Sequence, residues 1–167
     1  MIRLALALLL LAAAPAHAAV SCPQPLAEGS PPIRAQHIFC GEINGSGKAV
    51  GFHSRPGGKN PATVAETEET RPDPRRPGIY TISLFRITEG GRSETKTLST
   101  MFPDKCSQAD VLAAIRNAYQ TGDKGDGSFR GMSGQSCTDG NGKPFRIQGF
   151  TSMGRGGRVV ISTAYPN

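Results

Sequence analysis

Four cysteines limit what this chain can fold into more than any other feature. Cys22, Cys40, Cys106 and Cys137 all lie beyond an apolar leader. That leader opens on Met1-Ile2-Arg3, continues as an unbroken apolar run from Leu4 to Ala14, and ends in Ala16-His17-Ala18. A basic start, a short apolar stretch and a small-x-small close predict a secretory signal over residues 1–18, cut before Ala19, rather than a membrane anchor. The mature chain is therefore expected to be secreted or periplasmic, with no membrane association. An even number of cysteines in such a compartment predicts two disulfides, with three connectivities open. Zinc is the competing use of these cysteines, but no pair has the C-x-x-C spacing common in zinc sites.

The cross-links answer a lean composition. Removing 18 of the 167 residues leaves 149, one domain's worth of chain. The sequence has no Trp, 21 Gly and 13 Pro, and its mean hydropathy is −0.30. Such a chain is expected to be loop-rich with a modest core. The net charge is +6, or +5 without Arg3, which is compatible with an anionic partner such as RNA, an acidic glycan or a membrane surface.

Residues 19–32 are Pro-rich and read as an irregular tether ahead of a domain spanning 33–167. Ile33, Ala35, Ile38, Phe39 and Ile43 suggest a short helix running into a turn at Gly41. Lys48 to His53 is a candidate strand. Ser54 to Pro77 reads as a long polar loop dense in Gly, Pro and charge. Gly78–Ile87 and Ser93–Met101 form a predicted hairpin about Gly90-Gly91. Ser107 with Asp110 caps a helix carrying Val111, Leu112, Ile115, Ala118 and Tyr119 at helical spacing. Residues 122–142 hold seven glycines and read as an extended loop. Phe145–Thr151 and Val159–Ala164 are two further strands about the turn at Gly154–Gly157. Helix early and sheet later gives an α+β class with a largely antiparallel sheet.

The chemistry-bearing residues are scarce. Beyond the leader only two histidines remain, His37 and His53, 16 residues apart. Two imidazoles that titrate near neutrality can serve as base and acid around one scissile phosphate. A lysine or backbone N–H would have to stabilise the extra charge on phosphorus. The same pair could instead hold a metal, with Glu42 or Asp73 completing the site, although no H-E-x-x-H pattern is present. Arg55, Lys59, Arg71, Arg75 and Arg76 crowd the segment after His53, as an RNA-guiding cluster or a solvated loop offset by Glu66, Glu68 and Glu69.

His37-Ile38-Phe39-Cys40-Gly41-Glu42, Gly51-Phe52-His53-Ser54 and the closing Ile161-Ser162-Thr163-Ala164-Tyr165-Pro166 resemble the bacterial EndoU nuclease family. Lys96 lies 43 residues past His53 and is followed four positions on by Thr100, matching that family's lysine and hydroxyl. The rival Lys105 lacks this spacing. The resemblance covers His37 to Pro166 and implies an EndoU/barnase-like ribonuclease core with an N-terminal helical part. It implies a metal-independent endoribonuclease that cuts RNA at uridines by attack of the 2′-hydroxyl, with manganese as a stimulant of some relatives and not a required cofactor.

By the resemblance, His53 is the general base and His37 the general acid, or the reverse, and Lys96 is the charge stabiliser. Gly51 would approach a phosphate oxygen through its N–H, Tyr165 would orient the ribose, and Thr163 and Thr100 would contact the base. The resemblance also raises an antibacterial toxin neutralised by an immunity protein, or a stand-alone secreted nuclease working as a monomer. A catalytically inert exported binding module and a periplasmic metal-dependent hydrolase are the alternatives.

Overall fold

The computed structural model describes residues 20–65 and 69–167. The expected signal over residues 1–18, together with Glu66 and Glu68, lies outside the described residues. The fold is α+β. Helix α1 (Ala35–Cys40) is followed by a small ladder, β1 (Glu42–Ile43) with β2 (Ala49–Val50). Strands β3 (Glu69–Pro72), β4 (Tyr80–Glu89) and β5 (Arg92–Met101) form a three-stranded sheet in that order. Helix α2 (Gln108–Thr121) leads into a four-stranded sheet of β6 (Asp123–Gly125), β7 (Ser128–Met132), β8 (Arg146–Met153) and β9 (Val159–Pro166). Every named ladder is antiparallel.

Each larger sheet has its own core. Helices α1 and α2 pack with β7, β8 and β9 around Ile38, Val111, Ile115, Phe129, Ile147 and Ile161. The β4–β5 hairpin closes over a smaller cluster of Phe52, Val64, Ile82, Phe85, Ile87 and Met101. The disulfides pair Cys22 with Cys40 and Cys106 with Cys137, and all four cysteines belong to the larger cluster or pack against it. The α2 start carries the expected cap: Asp110 N–H donates to Ser107 Oγ at 3.2 Å, and Ser107 N–H donates to Asp110 Oδ2 at 2.9 Å.

Three expectations are corrected. The strand foreseen over Lys48–His53 stops at Val50, because two consecutive residues, Gly51 and Phe52, take φ values of +78° and +58°, outside the extended region. The Ser54–Pro77 loop contains the edge strand β3. The glycine-rich stretch 122–142 is not an extended loop, since it holds β6 and β7. Its glycines serve close packing: a Cβ on Gly131 would stand 2.1 Å from the Ala118 carbonyl oxygen of α2. Glycine lets the helix lie directly on the sheet there.

Candidate active site

The site forms where the two cores meet, and it begins with how one loop docks on α1. Phe52 N–H donates to the His37 carbonyl at 2.8 Å, and His53 N–H donates to the Ile38 carbonyl at 2.7 Å. This approach requires glycine at position 51: a Cβ there would lie 2.3 Å from the His37 carbonyl oxygen, and its φ is positive. The docked loop sets the His37 and His53 rings 6.1 Å apart between centroids. Both histidines are buried.

The ring contacts fix the tautomers. His53 Nδ1 lies 3.1 Å from the Thr100 carbonyl, which can only accept, so Nδ1 carries the proton. Ser99 Oγ, 3.0 Å from the same nitrogen, spends its own proton on the Phe52 carbonyl at 2.6 Å. His53 Nε2 is left with its lone pair. Burial first, then the nearby charges of Lys96 and His37, hold the His53 ring well below the ordinary imidazole range, against the opposing pull of the Thr100 carbonyl. His37 Nδ1 stands 3.0 Å from Glu42 Oε1, again an acceptor, so its free nitrogen is also Nε2. Arg34 grips the same carboxylate at 2.8 and 2.9 Å. The hydrogen bond from His37, with the His37 and Arg34 charges, keeps Glu42 below the usual carboxylate range despite its partial burial.

Lys96 reaches this pair through a kink in the hairpin. Ser83 pairs with Leu98 and Phe85 with Lys96, but Leu84 and Thr97 between them do not pair, and Leu84 has φ +53°. Burial passes from Ile82 to Phe85 and then Ile87, so the faces switch at the kink. Lys96 and Ser99, three residues apart, thereby share the inward side. Lys96 Nζ donates to the Gly51 carbonyl and to Ser99 Oγ at 3.1 Å. It lies 5.9 Å from the Phe85 ring centroid. Burial lowers its pKa from 10.5 to about 8. An ammonium has three N–H groups, so one remains for an anion.

The C-terminal strand supplies the opposite wall. The Tyr165 ring stands 5.2 Å from that of His53. Thr163, two residues earlier on β9, has a buried hydroxyl oxygen with no hydrogen-bond partner. Thr100 gives its carbonyl to His53 and, with Tyr165, lines a cavity of about 540 Å³. Gly51 offers its carbonyl to Lys96 and its bare Cα to α1.

Other sequence candidates lie elsewhere. Lys105 donates to the Asp139 carbonyl at 2.6 Å, and Asp73 is bound by Arg76 at 2.6 Å, so Asp73 completes no site with the histidines. Arg55 of the basic segment bonds Tyr80, which in turn bonds Asp104. Ser99 and the pairing of Glu42 with His37 were not singled out from sequence. The Glu42 signal was available, five residues past His37 and just after a six-residue helix, whereas Ser99 depends on the kink. Among the described residues no group of three or more His, Cys, Asp and Glu gathers as a metal-binding set.

No curated protein and no solved structure matches the chain. The family model described as bacterial EndoU nuclease matches residues 33–167, which include every residue of the constellation. The chain belongs to the bacterial EndoU nuclease family.

Proposed function

We propose that this protein is an exported, metal-independent endoribonuclease that cuts RNA at uridines. The observation that carries the reading is a pair of close imidazoles, each with Nδ1 engaged and Nε2 free, beside a buried ammonium with one N–H unspent. His53 Nε2 takes the proton of the 2′-hydroxyl, and O2′ forms a bond to the adjacent phosphorus. The bond from phosphorus to O5′ breaks while His37 Nε2 delivers a proton to that oxygen. The products are a 2′,3′-cyclic phosphate and a 5′-hydroxyl.

The assignment of base and acid follows from the surroundings. His53 sits in a dry setting beside a cation, which keeps it neutral and able to accept. His37 has a carboxylate on Nδ1, which fixes the ring's orientation and leaves Nε2 as the nitrogen that donates. Lys96 neutralises the charge that builds on the phosphoryl oxygens. The unpartnered Thr163 hydroxyl and the Thr100 side chain are suited to base contacts, and Tyr165 to the ribose. The two disulfides suit an oxidising compartment. Acid, base and cation all come from the chain, so manganese would act as a stimulant and not as a participant. If the protein is an antibacterial toxin, its producer needs an immunity protein, and the unit of action is the monomer.

The test is incubation of the mature chain with labelled uridine-containing RNA in EDTA, beside the same RNA bearing a 2′-O-methyl at the cleavage site and beside His53→Ala. Cleavage to a cyclic phosphate that disappears in both controls is expected. Intact RNA after incubation with a folded, disulfide-bonded enzyme would overturn the reading.

A further inference from the structure

Helix α2 covers one face of the four-stranded sheet through Phe129, Ile147 and Ala164, and the opposite face carries a second cavity. Register defines that open face. Arg130 pairs with Gln148 and Gln148 with Tyr165, while Ser128 pairs with Phe150 and Phe150 with Thr163. Side chains two apart on a strand share a side, so Phe150 and Arg130 stand on the face that presents Tyr165 and Thr163. All but Thr163 line one cavity of about 490 Å³, together with Lys124 and Asp123.

Three features of this face suit a nucleotide. Phe150 is 40% exposed, in the middle of a sheet. Arg130 donates from Nε to Gln148 Oε1, which orients the guanidinium, and Gln148 is itself anchored on the Phe129 and Gly149 carbonyls at 3.1 and 3.2 Å. Lys124 pairs with Phe129 and lies over the Tyr119 ring of α2 at 5.0 Å, so its ammonium is on the helix side. The second cation of the open face is Arg146, two residues before Gln148 on β8. Beyond Arg130 the surface continues into a further cavity of about 370 Å³ that reaches Arg146. Cations along a groove with an aromatic platform are what single-stranded nucleic acid binding uses. The groove starts at Tyr165, 5.2 Å from His53, and Tyr165 also lines the cavity beside Thr100, so the two cavities share a wall next to the catalytic pair.

We propose that the open face of the four-stranded sheet is a second nucleotide subsite, in which Phe150 stacks a base neighbouring the scissile bond and Arg130 binds a backbone phosphate. The subsite rests on the reading of the protein as a ribonuclease, and its test requires no cleavage. Binding is measured by fluorescence anisotropy with a short, fully 2′-O-methylated RNA. This ligand carries 2-aminopurine on the 5′ or the 3′ side of its single uridine.

Binding with quenching of 2-aminopurine on one side is expected. Phe150→Ala should bind about tenfold more weakly and lose the quench, as removal of one base–aromatic stack predicts. Phe150→Trp should restore both. Arg130→Gln should weaken binding and flatten its salt dependence by about one phosphate contact. Leu26→Ala, an exposed apolar change in the N-terminal tether, controls for general effects. Absence of quenching on both sides, or unchanged binding in Phe150→Ala, would overturn the subsite even if the EDTA assay shows cleavage. Binding and quenching without cleavage would support the subsite and sink the catalytic reading.

Discussion

The two halves of the molecule differ in how they are held and in what they give to the site. The larger half is helix on sheet, gathers both disulfides, and contributes His37, Thr163 and Tyr165. The smaller half is a kinked hairpin over six buried hydrophobic side chains with no cross-link, and it contributes Lys96 and Ser99, with Phe52 lying beside His53. The difference separates two tasks. The cross-linked half holds a wall in place, while the hairpin keeps an ammonium in a dry setting that works against its charge. Stability and chemistry therefore pull the same way in one half and in opposite ways in the other.

The largest expected effect tests that opposition at Lys96. Lys96→Met keeps the aliphatic stem and removes the charge, and should lower kcat by about 10²–10³, the usual scale for loss of one electrostatic stabiliser. The same variant should be no less stable than the parent at neutral pH, because burial disfavours the ammonium. The pH dependence carries the same sign. The Lys96 pKa falls from 10.5 to about 8 on folding, so between those values the unfolded chain binds more protons and stability rises with pH. Activity should fall over the same interval as the charge is lost. On the acid side kcat/KM should hold to well below pH 6.5, since His53 stays neutral there. Urea melts and kcat/KM measured from pH 4 to 10 would expose any parallel movement of the two quantities, which would break the comparison.

Truncation of one aromatic in each half sharpens it. Phe85 is fully buried, 5.4 Å from the Phe52 ring, and backs Lys96. Phe145 is buried in the larger core against Phe102 at 5.9 Å. Each change to Ala should cost about 3–5 kcal/mol of stability. Only Phe85→Ala should also lower the activity of the folded fraction, since it alone loosens Lys96 and the loop carrying His53. Equal activity losses would mean that the halves do not divide the work in this way.

Replacing Cys106 and Cys137 together by Ala comes next. That bridge spans a sequence separation of 31 residues, and its removal should cost about 3 kcal/mol. The midpoint of denaturation should drop while kcat at low temperature stays near that of the parent.

What the sequence made legible follows from how local each signal is. The capped helix α2, the Gly90-Gly91 hairpin and the two closing strands rest on short-range periodicity, and the structure has them close to where the pattern put them. The glycine-rich segment misled because glycine serves both loose turns and tight contacts. Only the approach of α2 to Gly131 tells these apart. At the site, the histidines stood out because they are rare, and Lys96 only through the family resemblance, which supplies the expected interval from His53. Ser99 did not, since an unbroken strand would set it on the face opposite Lys96. The Leu84 kink reverses that, and nothing in Ser83-Leu84-Phe85 announces a left-handed residue. The disulfide pairing was a matter of three-dimensional proximity and could not be read at all.

The smallest predicted effect is the cleanest control on the division of labour. Ser107 Oγ accepts the Asp110 N–H while Asp110 accepts the Ser107 N–H, so one side chain satisfies a helix end and fixes its partner. Ser107→Ala removes one acceptor from the first turn of α2 and should cost about 1 kcal/mol. The helix spans the face of β7 and β8 opposite the open groove, and its capped end is next to the Cys106–Cys137 bridge. A scaffold that only holds the wall should pass none of this loss to the chemistry, and kcat and KM of the folded variant should match the parent. A shift in KM with unchanged kcat would instead show that α2 tunes the sheet face presenting Tyr165. The larger half would then be part of substrate binding, and the contrast between a rigid wall and a reactive hairpin would have to be redrawn.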